Sequence, residues 1–226
     1  VLPSSPQKRR RMSTQMKGQA VFVAALVALG AWTAAVFTPS LATADLAITR
    51  WLQQYASPTL DTLLSLLTFL GNAEITVLFF ILMGMALVRR GQAPLAIALW
   101  AVFIGGSAIE WAAKHLLPHA SVPESLQRHG LNIFHHQFYT PYSYPSGHAF
   151  RTLLLATAVS WVWARSREGA VWLRYLLGTL VVLLGVALVY LGDHWASEVV
   201  GGFLLATVAV VLLRAQRGEL SRTPST

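Results

Sequence analysis

Six apolar stretches, at about 20–38, 73–89, 93–113, 149–164, 174–192 and 195–213, set the problem this chain must solve. A helix needs about 20 mainly apolar residues to cross the hydrocarbon core of a bilayer, and only a helix or a closed barrel satisfies its own backbone there. Five stretches reach or approach that length. The other, 73–89, is bounded by Asn72 and Glu74 on one side and by Arg89-Arg90 on the other. Hydrophobic residues make up 55% of the 226 and charged ones only 12%, about half the charged share of a soluble domain. The pattern predicts an all-α protein, a bundle of six transmembrane helices.

Between the first two spans lies DLAITRWLQQYASPTLDTLLSLLTFLG, residues 45–71. It mixes Asp45, Arg50 and Asp61 with apolar positions at helical spacing, which predicts interfacial or re-entrant helices. The apolar part at 60–71 is too short for a span of its own. The expected organisation is a basic cytoplasmic N-terminus over 1–19, one membrane domain over 20–213 and a cytoplasmic tail over 214–226. Residues 1–11 precede Met12 and read as an upstream extension or an expression remnant. The apolar segment after Lys17 lacks a convincing cleavage site and reads as a retained helix rather than a signal peptide.

A net charge of +8 raises nucleic acid as a partner, but the cations cluster at the ends of apolar segments, as topology control requires. No nucleic-acid partner is expected. Six spans with both termini inside leave only Arg50, Lys114, Arg128 and Arg151 of the 17 basic residues away from the inner face. The seven histidines, at 115, 119, 129, 135, 136, 148 and 194, then fall on or near the outer face, which points to a one-sided polar site. The polar connection 115–144 has the length of a lid or binding loop. Absence of cysteine excludes disulfides and thiolate metal sites.

Three short stretches carry the chemistry. In YPSGHAFRT, residues 144–152, Ser146 is placed to cap a helix, whose first N–H groups and dipole suit an anion. Gly147 permits close approach of a ligand, His148 lies in the first turn, and Arg151 follows three residues later. The alternative is an ordinary capped helix with an interfacial histidine. In GDHWASE, residues 192–198, His194 and Glu198 are four apart and share a helical face. A carboxylate there fixes one ring nitrogen and leaves the other as a nucleophile, unless the pair is only structural. In EWAAK, residues 110–114, Lys114 either pairs with Glu110 or snorkels to the interface.

The order Lys, then Pro-Ser-Gly-His, then His-x3-acid resembles the type 2 phosphatidic acid phosphatase superfamily of integral-membrane lipid phosphatases. The resemblance covers roughly 60–213 and is full at PSGH. It implies that His194 attacks phosphorus to give a phosphohistidine, with Glu198 in place of the usual aspartate, and that His148 protonates the leaving oxygen. Lys114, Ser146 and Gly147 would hold the phosphoryl oxygens, with no metal or other cofactor. Substrate and partners would be a lipid phosphate and the bilayer. The expected location is a bacterial inner membrane, with the site on the periplasmic or extracellular face.

Two arginines of the family pattern are missing. Their places fall at Ser121 in the first motif, with Val122 for its proline, and at Leu188 in the third, after Ala187 for its serine. Arg151 is the leading substitute clamp, because an arginine near membrane depth must find an anion or water. Its alternative is a structural pair with Glu110 or Glu198. His115, His119 and Arg128 are further candidates. An HxxxH zinc site at His115 and His119 is disfavoured by Pro118 and the lack of a third ligand. The reading is therefore a lipid phosphomonoester or pyrophosphate hydrolase. A phosphotransferase and a catalytically impaired lipid-binding or transport protein are the alternatives.

Overall fold

The structure is a computed structural model that describes residues 6–128, 140–163 and 167–220. These form eight α-helices and two 3-10 turns, with no strands among the described residues. The helices are α1 (Pro6–Val36), α2 (Pro39–Gln53), α3 (Pro58–Thr68), α4 (Ala73–Arg89), α5 (Ala93–Leu116), α6 (Gly147–Trp163), α7 (Arg167–Leu191) and α8 (Ala196–Leu220). Proline opens α2 and α3 and sits within the first turn of α5, where its missing N–H has no intrahelical partner to lose.

Four segments are long and apolar enough to cross a bilayer: Met16–Val36, Ala93–Leu116, Val171–Leu191 and Ala196–Ala215. A fifth is the pair Pro58–Gly71 and Ala73–Arg89, which meets the requirement together but is bent by 46° at Asn72. Residues 58–71 are thus half of a broken apolar element, closer to the span than the sequence placed them. Helix α6, with 17 residues and about 25 Å of length, sits at the lower limit for a crossing.

Helix α6 packs into the core. Phe150, Leu154, Ala158 and Val162 of α6 are buried against α4, α5 and α8, through Phe80, Leu99, Phe103, Ala206 and Leu213. Gly106 of α5 lies directly beneath the Phe150 ring, and an added Cβ there would overlap it. The described helices supply four spans, or five with the bent pair, against the six that the sequence predicts, and α6 is not among them.

The chain reverses sharply between α7 and α8. Gly192 has φ +72, Asp193 N–H donates to Leu188 O at 3.0 Å, and Gly192 N–H donates to Val189 O at 3.2 Å. Those bonds form a Schellman cap, which needs glycine in the left-handed region. A Cβ at Gly192 would also overlap the carbonyl of Leu126. This reversal delivers His194 to the start of α8.

Candidate active site

Helix α8 begins with its own carboxylate folded back. Glu198 accepts the backbone N–H of Trp195 at 3.3 Å, half of a capping box. The same Oε2 accepts from His194 Nδ1 at 2.6 Å; His194 lies two residues before α8, so the cap, and not the shared helical face the spacing predicts, sets the ring. Glu198 is fully buried, and its other oxygen is taken by Ser143 Oγ and by His119 Nδ1, the latter at 2.9 Å. Nε2 of His194 has no hydrogen bond among the described residues and is the ring nitrogen left for chemistry.

A second acid holds the same helix end. Asp45 of α2 accepts Ser197 N–H at 2.8 Å and Ser197 Oγ–H at 2.5 Å. Burial pushes the Asp45 carboxyl above the ordinary carboxylate range, against the pull of these two bonds. Trp32 Nε1 donates to Ser197 O at 2.9 Å, and Thr33 bonds the Tyr144 hydroxyl at 2.8 Å. Burial raises the Tyr144 phenol, so the ring stays neutral where it packs. The end of α1 therefore docks on both motif-bearing segments.

Ser146 caps α6 as the sequence predicts, its Oγ accepting Ala149 N–H at 3.3 Å. Its own N–H donates to the backbone O of Glu198 at 3.0 Å, tying the start of α6 to the start of α8. The imidazoles of His148 and His194 consequently face one another, with centroids 5.9 Å apart. His148 Nε2 bonds Oδ1 of Asn72 at 2.9 Å, at the break between α3 and α4.

Beside them lies a charged triad around Glu110, which is 7% exposed. Lys114 Nζ is 3.1 Å from Oε1, and Arg151 Nη1 donates to Oε2 at 3.1 Å. Arg151 Nε also donates to Gly71 O at 3.2 Å. Gly147 packs against this pair so closely that a Cβ would overlap the Glu110 carboxylate and lie 2.6 Å from Arg151 Nη1. Two cations share one carboxylate next to the two histidines.

The structure thus brings together His148, His194, Glu198, Ser146, Gly147, Lys114 and Arg151, and sorts the further candidates differently. His119 belongs to the Glu198 carboxylate. His115 is exposed, bonds Trp111 O at 2.8 Å and stacks 4.2 Å from the Trp111 ring, one turn back on α5. Arg128 is engaged elsewhere: its Nε and Nη2 grip Asp61 at 2.8 and 2.9 Å, and its guanidinium lies 5.9 Å from the Tyr190 ring centroid. Among the described residues Asp61 is the acid that pairs with it, and Tyr190 OH donates to that carboxylate at 2.7 Å. The places of the missing third-motif residues are apolar: Ala187 and Leu188 are fully buried, Leu188 in a cluster with Ala149 and Val199, whereas Ser121 in the first motif is exposed. His129, His135 and His136 lie outside the described residues. Sequence reasoning missed Asn72 and Ser143 as partners; no spacing rule connects Asn72 to His148 or Ser143 to Glu198.

A buried histidine–carboxylate pair faces a second histidine at one end of an apolar helical bundle, and the relatives of the chain place it among integral-membrane hydrolases of phosphoric esters or diphosphates. The sequence model of the PAP2 superfamily matches residues 95–222, more than half of the chain, and the chain belongs to that superfamily. The putative undecaprenyl-diphosphatase YbjG of Escherichia coli (strain K12) is 29% identical over 152 residues, spanning 65% of this chain and 69% of that protein. An undecaprenyl-diphosphatase of Sulfolobus acidocaldarius is 36% identical over 74 residues, 30% of each chain. The crystal structure of a transmembrane PAP2-type phosphatidylglycerolphosphate phosphatase from Bacillus subtilis superposes with a TM-score of 0.76, covering 90% of this chain and 98% of that one at 20% identity. That last likeness is one of fold.

Proposed function

We propose that this protein hydrolyses the terminal phosphate of a membrane-embedded lipid phosphate or diphosphate through a phosphohistidine at His194. The observation that carries the reading is the 2.6 Å bond from His194 Nδ1 to buried Glu198, with His148 facing the same ring. Glu198 orients the imidazole and stabilises the positive charge that grows on it as Nε2 attacks phosphorus. The bond from phosphorus to the leaving oxygen breaks, and His148, its ring held by Asn72, supplies that oxygen with a proton. Water, deprotonated by the same imidazole, then cleaves the P–N bond, releasing phosphate and restoring His194. Lys114, Arg151 and the first N–H groups of α6 supply the charge and donors that phosphoryl transfer chiefly requires.

The names of two relatives favour an isoprenoid diphosphate as substrate. In this reading the bundle crosses the membrane six times, with α6 as a short enclosed crossing. The end bearing Arg89, Arg90, Arg174 and Arg214 faces the cytoplasm with both termini, and the histidines face the outside of a bacterial inner membrane. The competing reading, an impaired lipid-binding protein, draws on Glu110, which already neutralises part of the charge on Lys114 and Arg151.

The test is phosphate release by purified protein from undecaprenyl diphosphate, phosphatidate and phosphatidylglycerol phosphate, with His194→Ala and His148→Ala alongside. Turnover by the wild type that both variants lose supports the enzyme. Equal release by wild type and His194→Ala on every substrate sinks it.

A further inference from the structure

At the end of the bundle remote from His194, α6, α7 and α8 leave between them a groove of about 660 Å³. Its walls combine Leu177 and Val181 with Thr157 and Ser160, and small residues at Ala156 and Gly178 give it depth. A Cβ placed on Gly178 meets no atom within 4 Å, so the floor there is open. Arg174 and Arg214 line the groove from α7 and α8, and the Arg214 guanidinium lies 5.7 Å from the Trp161 ring centroid.

Neither arginine makes an ion pair among the described residues. Arg90, at the same end of the bundle, shows the contrast. It donates to Val162 O at 2.8 Å and lies 5.8 Å from the Trp163 ring centroid, so it is occupied in holding the end of α6. Simple topology anchors point out into the headgroup layer and need no cleft. Arg174 and Arg214 instead border one cavity from two helices. Paired cations beside a lipid-width cleft between membrane helices match an anionic headgroup with an acyl chain below it. No histidine or acid lines the groove, and the hydroxyls of Thr157 and Ser160 there donate to backbone carbonyls of α6, so a lipid held there is bound and not hydrolysed.

We propose that this groove binds one anionic phospholipid in the leaflet opposite the histidine site. The headgroup phosphate rests between Arg174 and Arg214, and an acyl chain lies along the open surface at Gly178. The site is independent of the phosphatase reading and stands or falls separately from it.

The test is native mass spectrometry of the full chain after detergent exchange in phosphatidylglycerol, with phosphatidylcholine of the same chains as comparison. The wild type is expected to retain one phosphatidylglycerol and to shed phosphatidylcholine. Arg174→Gln with Arg214→Gln is expected to weaken retention by roughly 30-fold, from the loss of two headgroup cations. Gly178→Phe adds a ring at a position whose Cβ meets no atom within 4 Å, keeps both arginines, and is expected to abolish retention. Retention by Gly178→Phe equal to wild type overturns the proposal, as does equal retention of the two lipids. A dimer that Gly178→Phe dissociates shows that the groove seats a second copy instead.

Discussion

His119 Nδ1 lies 2.9 Å from Oε1 of Glu198, the carboxylate whose other oxygen holds His194 Nδ1 at 2.6 Å. One buried acid therefore orients two imidazoles from segments 75 residues apart in sequence, with Ser143 as a third donor. On the proposed mechanism His119 is a positioning residue. It prevents Oε1 from rotating toward the amides of α8 and so keeps Oε2 on His194. His119→Ala is expected to lower kcat by about 10- to 100-fold, the value of a hydrogen bond to a charged group. KM should change little, because His119 does not reach the phosphate. His119→Gln, which still donates to Oε1, should recover part of kcat. A raised KM with kcat intact would place His119 on the substrate instead.

Glu198→Gln keeps the size of the side chain but replaces one accepting oxygen with a donor. The amide cannot accept from His194, His119, Ser143 and Trp195 together. It also removes the charge opposite the growing imidazolium. A fall in kcat of about 10²- to 10⁴-fold is expected, comparable with loss of a positioned acid–base partner. Phosphate release measured beside His194→Ala gives the comparison. Activity of Glu198→Gln within a few-fold of wild type would show that Glu198 is structural only.

The His194–Glu198 pair was legible in the sequence as a four-residue spacing, although His194 lies just before α8 and meets Glu198 where that carboxylate folds back over the helix start, not along a shared helical face. Ser146 as the cap of α6 and the pairing of Lys114 with Glu110 were legible as well. His119, Ser143 and Asn72 were not legible as partners. Their positions depend on the path of the 117–128 connection, on the segment before Pro145 and on the bend between α3 and α4, none of which has a period to read. The pairing of Arg128 was hidden for a related reason: its partner Asp61 is 67 residues away, and only the fold brings the carboxylate to it.

Arg128 accordingly separates stability from catalysis. It clamps α3 and α7 through Asp61 and donates its backbone N–H to Leu191 O at 2.7 Å. Arg128→Ala is expected to lower the melting temperature in detergent, by the equivalent of about 1 kcal/mol for a partly exposed pair. KM for the lipid substrate should be unchanged. Arg151→Ala should behave in the opposite way on the proposed reading, lowering kcat/KM by about 10²- to 10³-fold as for loss of an oxyanion donor. Full activity of Arg151→Ala would leave its Glu110 pair as packing alone.

Orientation is testable because the chain contains no cysteine. Gln92 lies exposed at the entrance to α5, at the arginine-rich end, and Ala120 lies exposed beside the histidine site. In intact cells a membrane-impermeant maleimide is expected to label Ala120→Cys at once and Gln92→Cys only after permeabilisation. The reverse pattern would put the site on the cytoplasmic face, and equal labelling of both would refute six crossings with Arg89 and Arg90 inside.

Adjacent glycines on α5 give the sharpest test of the packing. Gly105 is exposed and a Cβ there meets nothing within 4 Å, whereas a Cβ at Gly106 would overlap the Phe150 ring. In mid-helix alanine is favoured over glycine by roughly 0.5–1 kcal/mol, so Gly105→Ala should be neutral or raise the melting temperature. Gly106→Ala must displace Phe150, which is fully buried against Phe80 and Phe103, and should cost about 1–3 kcal/mol as an overpacked core does. Phe150 follows His148 by two residues, so the displacement should also tilt the start of α6. Gly106→Ala is therefore expected to lose activity at temperatures where it remains folded, and Gly105→Ala to keep it. If the two variants melt together, α5 and α6 do not approach as closely as this structure places them.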